Sequence, residues 1–157
     1  MKRFLVITTV LAALAVPAVA LALDIHANNK SVVCTVQGSG ANTYVNCQGV
    51  ITGLGNLGNN CPTGFGSCVD IFVSVPYQCT TSSGSNNPPG TNKNFVTGFS
   101  GNNPVTSNGN TYINVNTSGT GCPDKQTDFT GPATIHIYYP GTTTDVNGSP
   151  LTVPLTA

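Results

Sequence analysis

The strongest constraint on the fold is a run of nine residues, 69–77, in which every second side chain is apolar. The apolar positions are Val69, Ile71, Val73, Val75 and Tyr77. A period of two predicts a β-strand with one buried face, because successive side chains of a strand point to opposite sides. Cys79 continues this parity and is expected to point inward. Residues 134–139 alternate in the same way, with Ile135, Ile137 and Tyr139 on the apolar face.

The rest of the chain consists of short β-branched runs separated by Gly, Pro, Asn and Ser. Beyond residue 22, no stretch has the 3.6-residue apolar period of an amphipathic helix. We therefore expect an all-β protein with about eight strands. The predicted architecture is a disulfide-stapled two-sheet β-sandwich, immunoglobulin-like or jelly-roll-like.

Two Asn-Gly dipeptides mark expected turns. Asn108-Gly109 and Asn147-Gly148 fit two-residue type I′ hairpins, because Asn and Gly tolerate the positive φ that this turn requires. The first would join residues 105–107 to 110–117, and the second would join 142–146 to 149–153. Residues 80–92 are polar and rich in breakers, so we expect a long surface loop there.

Six cysteines add a second constraint. They are Cys34, Cys47, Cys61, Cys68, Cys79 and Cys122. An even set in an exported chain of this size predicts three disulfides, and the C-x-x-C pairs of zinc sites are absent. If residues 31–37 and 43–52 form a hairpin, Cys34 lies opposite Cys47, as Val36 lies opposite Val45. Cys61 and Cys68 bracket a short loop that a local disulfide would close, which leaves Cys79 to pair with Cys122.

The N-terminus has the pattern of an export signal. Met1-Lys2-Arg3 gives a positive start, residues 4–16 are apolar, and Pro17 precedes two small-x-small cleavage sites that end at Ala20 and Ala22. We predict a signal peptide over residues 1–22 and a single secreted domain, extracellular or periplasmic, over 23–157. A retained membrane anchor is the alternative, which Pro17 and the cleavage sites oppose.

The charge of the chain argues against two classes of partner. Charged residues make up 6% of the chain, against about a quarter in ordinary soluble domains. After removal of residues 1–22, three lysines remain against five aspartates, a net charge of −2. Lysines at positions 30, 93 and 125 cannot form the clustered basic surface that nucleic acids or anionic membranes require. We expect no nucleic-acid partner and, once the signal is cleaved, no membrane partner.

Side chains suited to catalysis are scarce. The chain has no Glu, and His26 and His136 are its two histidines. No G-x-S-x-G elbow occurs, and the cysteines are expected to be oxidised. Carboxylates at positions 124, 128 and 145 do not form the D-x-D cluster that is typical of a calcium loop. Calcium binding by these carboxylates is kept as an alternative. We expect no enzyme, no cofactor and no metal; a concave site that joined His136 to an Asp would reopen the catalytic hypothesis.

The order of several motifs resembles a group of small secreted bacterial proteins of uncharacterised function. The motifs are the GLGN turn at 53–56, the Cys79 strand end followed by NPPG at 87–90, the NGN strand start at 108–110 and the GCP segment at 121–123. The resemblance spans residues 45–139 and supports the pairing of Cys79 with Cys122, whose equivalents are the usual cysteines of the group. Residues 80–87 depart from the group pattern, and the Trp that often follows its C-P-N segment is missing. The resemblance implies no catalytic residue.

Aromatic residues provide a candidate binding surface. If the alternation is correct, Tyr44, Tyr112 and Tyr138 point away from the core, accompanied by His136 and Asn114. Asn46 and Asn116 share this outward parity. Tyr rings that stack on sugar faces, with amides that bind hydroxyl groups, would suit a neutral polysaccharide. The alternative is that these residues form ordinary cross-strand pairs on a hydrated sheet face.

A third class of function is self-assembly. Residues 23–27 alternate apolar and polar, and such a segment could add to the sheet edge of a second copy or pair within its own domain. The sequence thus predicts a secreted, non-catalytic structural or binding protein that acts at or outside the bacterial cell surface. The alternatives are a polysaccharide-binding module and a self-assembling surface or filament subunit.

Overall fold

The computed structural model describes residues 26–29, 31–55, 57, 61–62, 66–80, 94–122 and 127–157. Within these residues the chain forms ten β-strands and one short 3-10 turn, Gly40–Asn42. The strands are β1 (Asn28–Asn29), β2 (Val33–Gln37), β3 (Tyr44–Thr52), β4 (Ser67–Cys79), β5 (Asn94–Val105), β6 (Thr111–Asn116), β7 (Thr127–Phe129), β8 (Ala133–Tyr138), β9 (Leu151–Val153) and β10 (Leu155–Thr156). The all-β prediction is confirmed, with ten strands in place of about eight. Strands β1 and β10 have two residues each, too few for alternation to reveal them.

Sheet A is built around β3. Strands β2 and β6 flank β3 on opposite sides, both antiparallel to it, and β10 adds in parallel to the far side of β2. Strand β1 lies on the β2 side and pairs Asn28 with Thr52 near the end of β3. The register places Cys34 opposite Cys47 and Val36 opposite Val45, which confirms the predicted hairpin.

Sheet B is built around β4, which has 13 residues. Strand β5 lies along one side of β4, β7 and β8 lie along the other side, and β9 adds to β8, all antiparallel. The β4–β5 register shifts between Val69 and Ile71, which are paired with Asn103 and Ser100. The extra residue forms a bulge in β5, where Asn102 has a φ of 55°.

The two sheets enclose one apolar core. Val69, Ile71, Val73 and Val75 of β4 are fully buried, as are Ile135 and Ile137 of β8, which confirms the predicted alternation. Tyr77 and Tyr139 are partly buried and pack against this core. Because inward and outward side chains alternate along each strand, the remaining residues form two solvent faces, one on each side of the sandwich.

The turn at Asn108-Gly109 differs from the expected type I′ hairpin. Gly109 N–H donates to the Thr106 carbonyl and Thr106 N–H donates to the Asn110 carbonyl, both at 2.8 Å, so the loop has three residues. Gly109 has a φ of 72° whereas Asn108 does not have a positive φ, which fits a three-residue loop with a bulge. The turn also connects β5 of sheet B to β6 of sheet A, rather than two paired strands. A Cβ at Gly109 would collide with the backbone nitrogen of Gly55.

The prediction of a second type I′ hairpin, at Asn147-Gly148, is also wrong. Ser149 N–H donates to the Val146 carbonyl at 3.1 Å, and Gly148 alone of the two central residues has a positive φ, 85°. A type I′ turn requires positive φ at both positions. Strand β9 pairs with β8, and the segment before the turn contributes an isolated bridge between Tyr138 and Asp145.

The three predicted disulfides are all present. They join Cys34 to Cys47, Cys61 to Cys68 and Cys79 to Cys122, with Cα–Cα distances of 4.0, 5.2 and 5.5 Å. The first links neighbouring strands of sheet A, and the third fixes the end of β4 to the segment that follows β6. These bonds are compatible with an extracellular or periplasmic protein.

Several predictions concern residues that the structure does not describe. The signal peptide, the start of the domain at residue 23 and most of the loop at 80–92 lie outside the described ranges. Within those ranges no helix is long and apolar enough to cross a membrane. His26–Asn29 lies within its own domain: His26 N–H donates to the Gly53 carbonyl at 3.0 Å, Ala27 N–H donates to the Asn147 carbonyl at 2.8 Å, and β1 pairs with β3.

Candidate functional site

The residues of the predicted aromatic surface lie on two opposite faces. Tyr44 of β3, and Tyr112 and Asn114 of β6, point outward from sheet A, whereas His136 and Tyr138 of β8 point outward from sheet B. All three tyrosines point away from the core as the alternation predicted, but they do not form one surface. A binding site must therefore be assessed separately on each face.

On the face of sheet A, the polar side chains bond to each other. Asn46 Nδ2 donates to Asn114 Oδ1 at 2.8 Å and to Asn116 Oδ1 at 2.7 Å. The Tyr44 hydroxyl donates to Gln37 Oε1 at 2.9 Å. These are the cross-strand pairs of the alternative interpretation, and they use the Asn46 amide N–H groups and the Tyr44 hydroxyl within the protein. Tyr112 is 61% exposed and borders a shallow depression beside Val33 and Gln48.

On the face of sheet B, four hydroxyl side chains line up across four strands. Thr97 of β5 pairs with Ser74 of β4, Ser74 pairs with Thr134 of β8, and Thr134 pairs with Thr152 of β9. We call these four residues the hydroxyl row. In the part of the chain that the structure describes, none of their hydroxyl groups makes a hydrogen bond, unlike the amides of sheet A. Each hydroxyl can both donate and accept, so the row offers unused hydrogen-bonding capacity to a ligand.

Ring-containing side chains flank the hydroxyl row on both sides. On one side, Phe99, Phe72 and His136 are paired across β5, β4 and β8 and form the aromatic row. On the other side, Phe95 pairs with Pro76. Phe95 and Phe99 are 55% and 63% exposed, among the most exposed large hydrophobic side chains of the described residues. A surface that combines exposed rings with free hydroxyls is typical of binding sites for amphipathic ligands.

His136 is held in one orientation at the end of the aromatic row. Its Nδ1 atom lies 3.1 Å from Asp145 Oδ2 and 3.2 Å from Asp145 Oδ1. Ser149 Oγ donates to Asp145 Oδ1 and accepts the Ile137 N–H at 2.9 Å, which fixes the carboxylate in turn. Because Nδ1 donates to the carboxylate, the neutral imidazole has Nε2 as a hydrogen-bond acceptor.

Tyr138 extends the ring surface beyond His136. The two rings stack with centroids 5.5 Å apart and an interplanar angle of 21°, and Phe72 lies 6.3 Å from His136 on the other side. Burial raises the pKa of Tyr138, and the negative charge of Asp145 raises the pKa further. The phenol therefore keeps its proton at physiological pH and can donate a hydrogen bond.

The contact between His136 and Asp145 bears on the catalytic hypothesis. The structure joins this histidine to a carboxylate, but it does so on the solvent face of a sheet. Ser149 bonds to Asp145 instead of His136, so the imidazole does not activate the serine as it does in a nucleophile–base pair. Among the described residues, no three His, Cys, Asp or Glu side chains cluster as a metal site requires. The arrangement positions His136 and supplies no activated nucleophile.

Phe72, Phe95, Phe99 and the hydroxyl row were not predicted from the sequence. Phe72 and Ser74 occupy outward positions of the predicted strand at 69–77, and apolar alternation identifies the buried face of a strand but no binding residue on its outer face. Thr97 and Phe99 have the same parity in β5, a segment where Gly98 replaces an apolar side chain and weakens the alternation. Which strands lie side by side depends on long-range pairing, which a period of two does not encode.

Comparisons of the chain with protein-family models, with curated proteins and with solved structures found no match.

Proposed function

We propose that the protein is a secreted, non-catalytic binding protein that acts at or outside the bacterial cell surface, and that it binds uncharged polysaccharide through the outer face of sheet B. The proposal rests on one observation above all: the hydroxyl row is free of internal hydrogen bonds and lies between exposed rings. The predicted export signal, the three disulfides and the resemblance to small secreted bacterial proteins support the proposed compartment.

The chemistry of the face favours sugars over other ligands. A pyranose ring has C–H faces that stack on aromatic rings and a rim of hydroxyl groups that pair with protein hydroxyls. The hydroxyl row and the two phenylalanines of the aromatic row carry no formal charge, and His136 presents its Nε2 atom for a hydrogen bond. An anionic polymer would lack cationic partners on these rows. The protein therefore matches an uncharged polymer such as cellulose or chitin.

Retention on insoluble cellulose and chitin tests this function. Phe99→Ala removes an exposed ring, and Thr134→Val removes one hydroxyl of the row with little change in shape. Each variant should release more protein into the supernatant than the wild type, because stacking and a hydrogen bond each contribute about 1 kcal/mol, or about five-fold in affinity. Tyr112→Ala, on the face of sheet A, is the matched control and should behave as the wild type.

Three results would contradict the proposal. The first is that neither polysaccharide retains the wild type. The second is that Tyr112→Ala loses retention as fully as Phe99→Ala, and the third is that the sheet B variants bind unchanged. Sizing of the same samples tests the self-assembling subunit. A concentration-dependent oligomer that Phe99→Ala abolishes would assign this face to a second copy of the chain instead of a sugar polymer.

A further inference from the structure

The chemical character of the sheet B face is constant across the strands and changes along them. Across the strands, the hydroxyl row gives four hydroxyl groups in succession, one from each of β5, β4, β8 and β9. Along β4, by contrast, the outward side chains run from Phe72 to Ser74 to Pro76, so an aromatic ring, a hydroxyl and an apolar ring follow each other. A polymer of identical units would therefore meet the same type of side chain at each step only if it runs across the strands.

We infer that a bound polysaccharide chain lies across the strands of sheet B, along the hydroxyl row, and that the site binds an internal stretch of the chain instead of its end. This inference rests on the proposed function. Adjacent strands are about 4.8 Å apart, so the two end hydroxyls of the row are separated by about 14 Å, the length of about three consecutive sugar rings. Successive sugars would then meet successive strands.

Both ends of the hydroxyl row are open in the described structure. Thr97 and Thr152, the terminal members of the row, are exposed, whereas Ser74 and Thr134 in the middle are half-buried. A site that recognises a chain end needs a wall that stops the chain and groups that bind the terminal hydroxyls. Among the described residues, the exposed threonines at positions 97 and 152 leave both ends of the row accessible to solvent, as a site for an internal stretch of polymer requires.

The aromatic row determines which side of the bound sugar chain makes apolar contacts. Phe72 and Phe99 lie beside the hydroxyl row, and His136 continues this line of rings with Nε2 available as an acceptor. A sugar chain along the hydroxyl row would place ring faces on Phe72 and Phe99 and one hydroxyl group near His136. Asp145, which bonds Nδ1, acts as a positioning residue for this contact.

Soluble oligomers of the polysaccharide that retains the protein, cello- or chito-oligosaccharides from dimer to hexamer, test the inference by calorimetry. Affinity should rise with each added sugar until the row is covered and then level off. Thr97→Val and Thr152→Val should each weaken binding of the hexamer by about five-fold and leave the dimer unaffected. Reduction of the terminal sugar to its alditol should not change the affinity of the hexamer.

The outcomes separate this inference from the function on which it depends. Equal affinity for dimer and hexamer, or loss of binding when the terminal sugar is reduced, would overturn the internal-chain site while the polysaccharide function stands. Equal weakening of dimer and hexamer by both end variants would also overturn it. If neither cellulose nor chitin retains the wild type, the function and the inference are both refuted.

Discussion

The side chain of Tyr138 shows how single contacts shape the candidate surface. Burial raises the pKa of this phenol above its ordinary value of 10.0, and the charge of Asp145 raises the pKa further. The same carboxylate bonds His136, so one residue influences both rings at the end of the face. None of these contacts could be predicted from the sequence, because Asp145 lies in an irregular segment whose path depends on the turn at residues 146–149.

The pKa of Tyr138 leads to a prediction about pH. The folded protein holds this proton more tightly than the unfolded chain, so the unfolded chain binds fewer protons at high pH. The free energy of unfolding should therefore fall as pH rises above about 10. Asp145→Asn removes the second cause only, so it should lower the pKa of Tyr138 part of the way toward its ordinary value.

Ultraviolet titration of tyrosinate absorbance measures this pKa. The difference between wild type and Tyr138→Phe isolates the contribution of Tyr138, and the same difference is then taken in the Asp145→Asn background. Tyr112→Phe serves as the control for an exposed tyrosine. A pKa of Tyr138 that is unchanged by Asp145→Asn would contradict the proposed influence of the carboxylate.

At the scale of secondary structure elements, the strands and disulfides could be predicted, whereas their assembly into faces could not. The alternation of apolar residues in β4 and β8 predicts which side of each strand is buried. The register of the β2–β3 hairpin predicts the Cys34–Cys47 bond. Both features depend on residues that are close together in the sequence. Tyr112 and Tyr138 have the same outward parity, but β6 belongs to sheet A and β8 to sheet B. The prediction of a type I′ turn at Asn108-Gly109 is wrong for the same reason: the sequence does not show that this turn links strands of different sheets.

Asp70 joins three elements of sheet B. This β4 residue is 7% exposed; its Oδ1 accepts the Asn102 N–H at 2.7 Å and its Oδ2 accepts the Gly141 N–H at 2.8 Å. The carboxylate thus ties the β5 bulge and the turn after β8 to β4. Asp70→Ala would leave both N–H groups without this acceptor and should lower the free energy of unfolding by about 2 to 4 kcal/mol.

Chemical denaturation of the oxidised protein checks this prediction. Asp128→Ala is the matched control, because Asp128 is exposed and bonds Gln78 at 3.1 Å on the surface, and its effect should stay below about 1 kcal/mol. Equal stability of Asp70→Ala and the wild type would show that the bulge and the turn keep their positions without the carboxylate.

At the scale of the whole molecule, the two faces of the sandwich differ in how their polar groups are used. On sheet A, the Asn46 amide bonds to Asn114 and Asn116, which stabilises the sheet and uses both Asn46 N–H groups within the protein. The hydroxyl row of sheet B has no such bonds in the described residues and lies beside exposed Phe95 and Phe99. This asymmetry, within a domain stapled by three disulfides, assigns the binding role to sheet B in our proposal.

The most direct test of this assignment is the NMR spectrum of the labelled protein during titration with cellohexaose and, separately, chitohexaose. We predict that one of these sugars shifts the signals of Thr97, Ser74, Phe72 and Thr134 on sheet B. The signals of Tyr112 and Asn114 on sheet A should stay in place. Shifts confined to sheet A, or no shifts with either sugar at saturating concentration, would contradict the central claim that the outer face of sheet B binds uncharged polysaccharide.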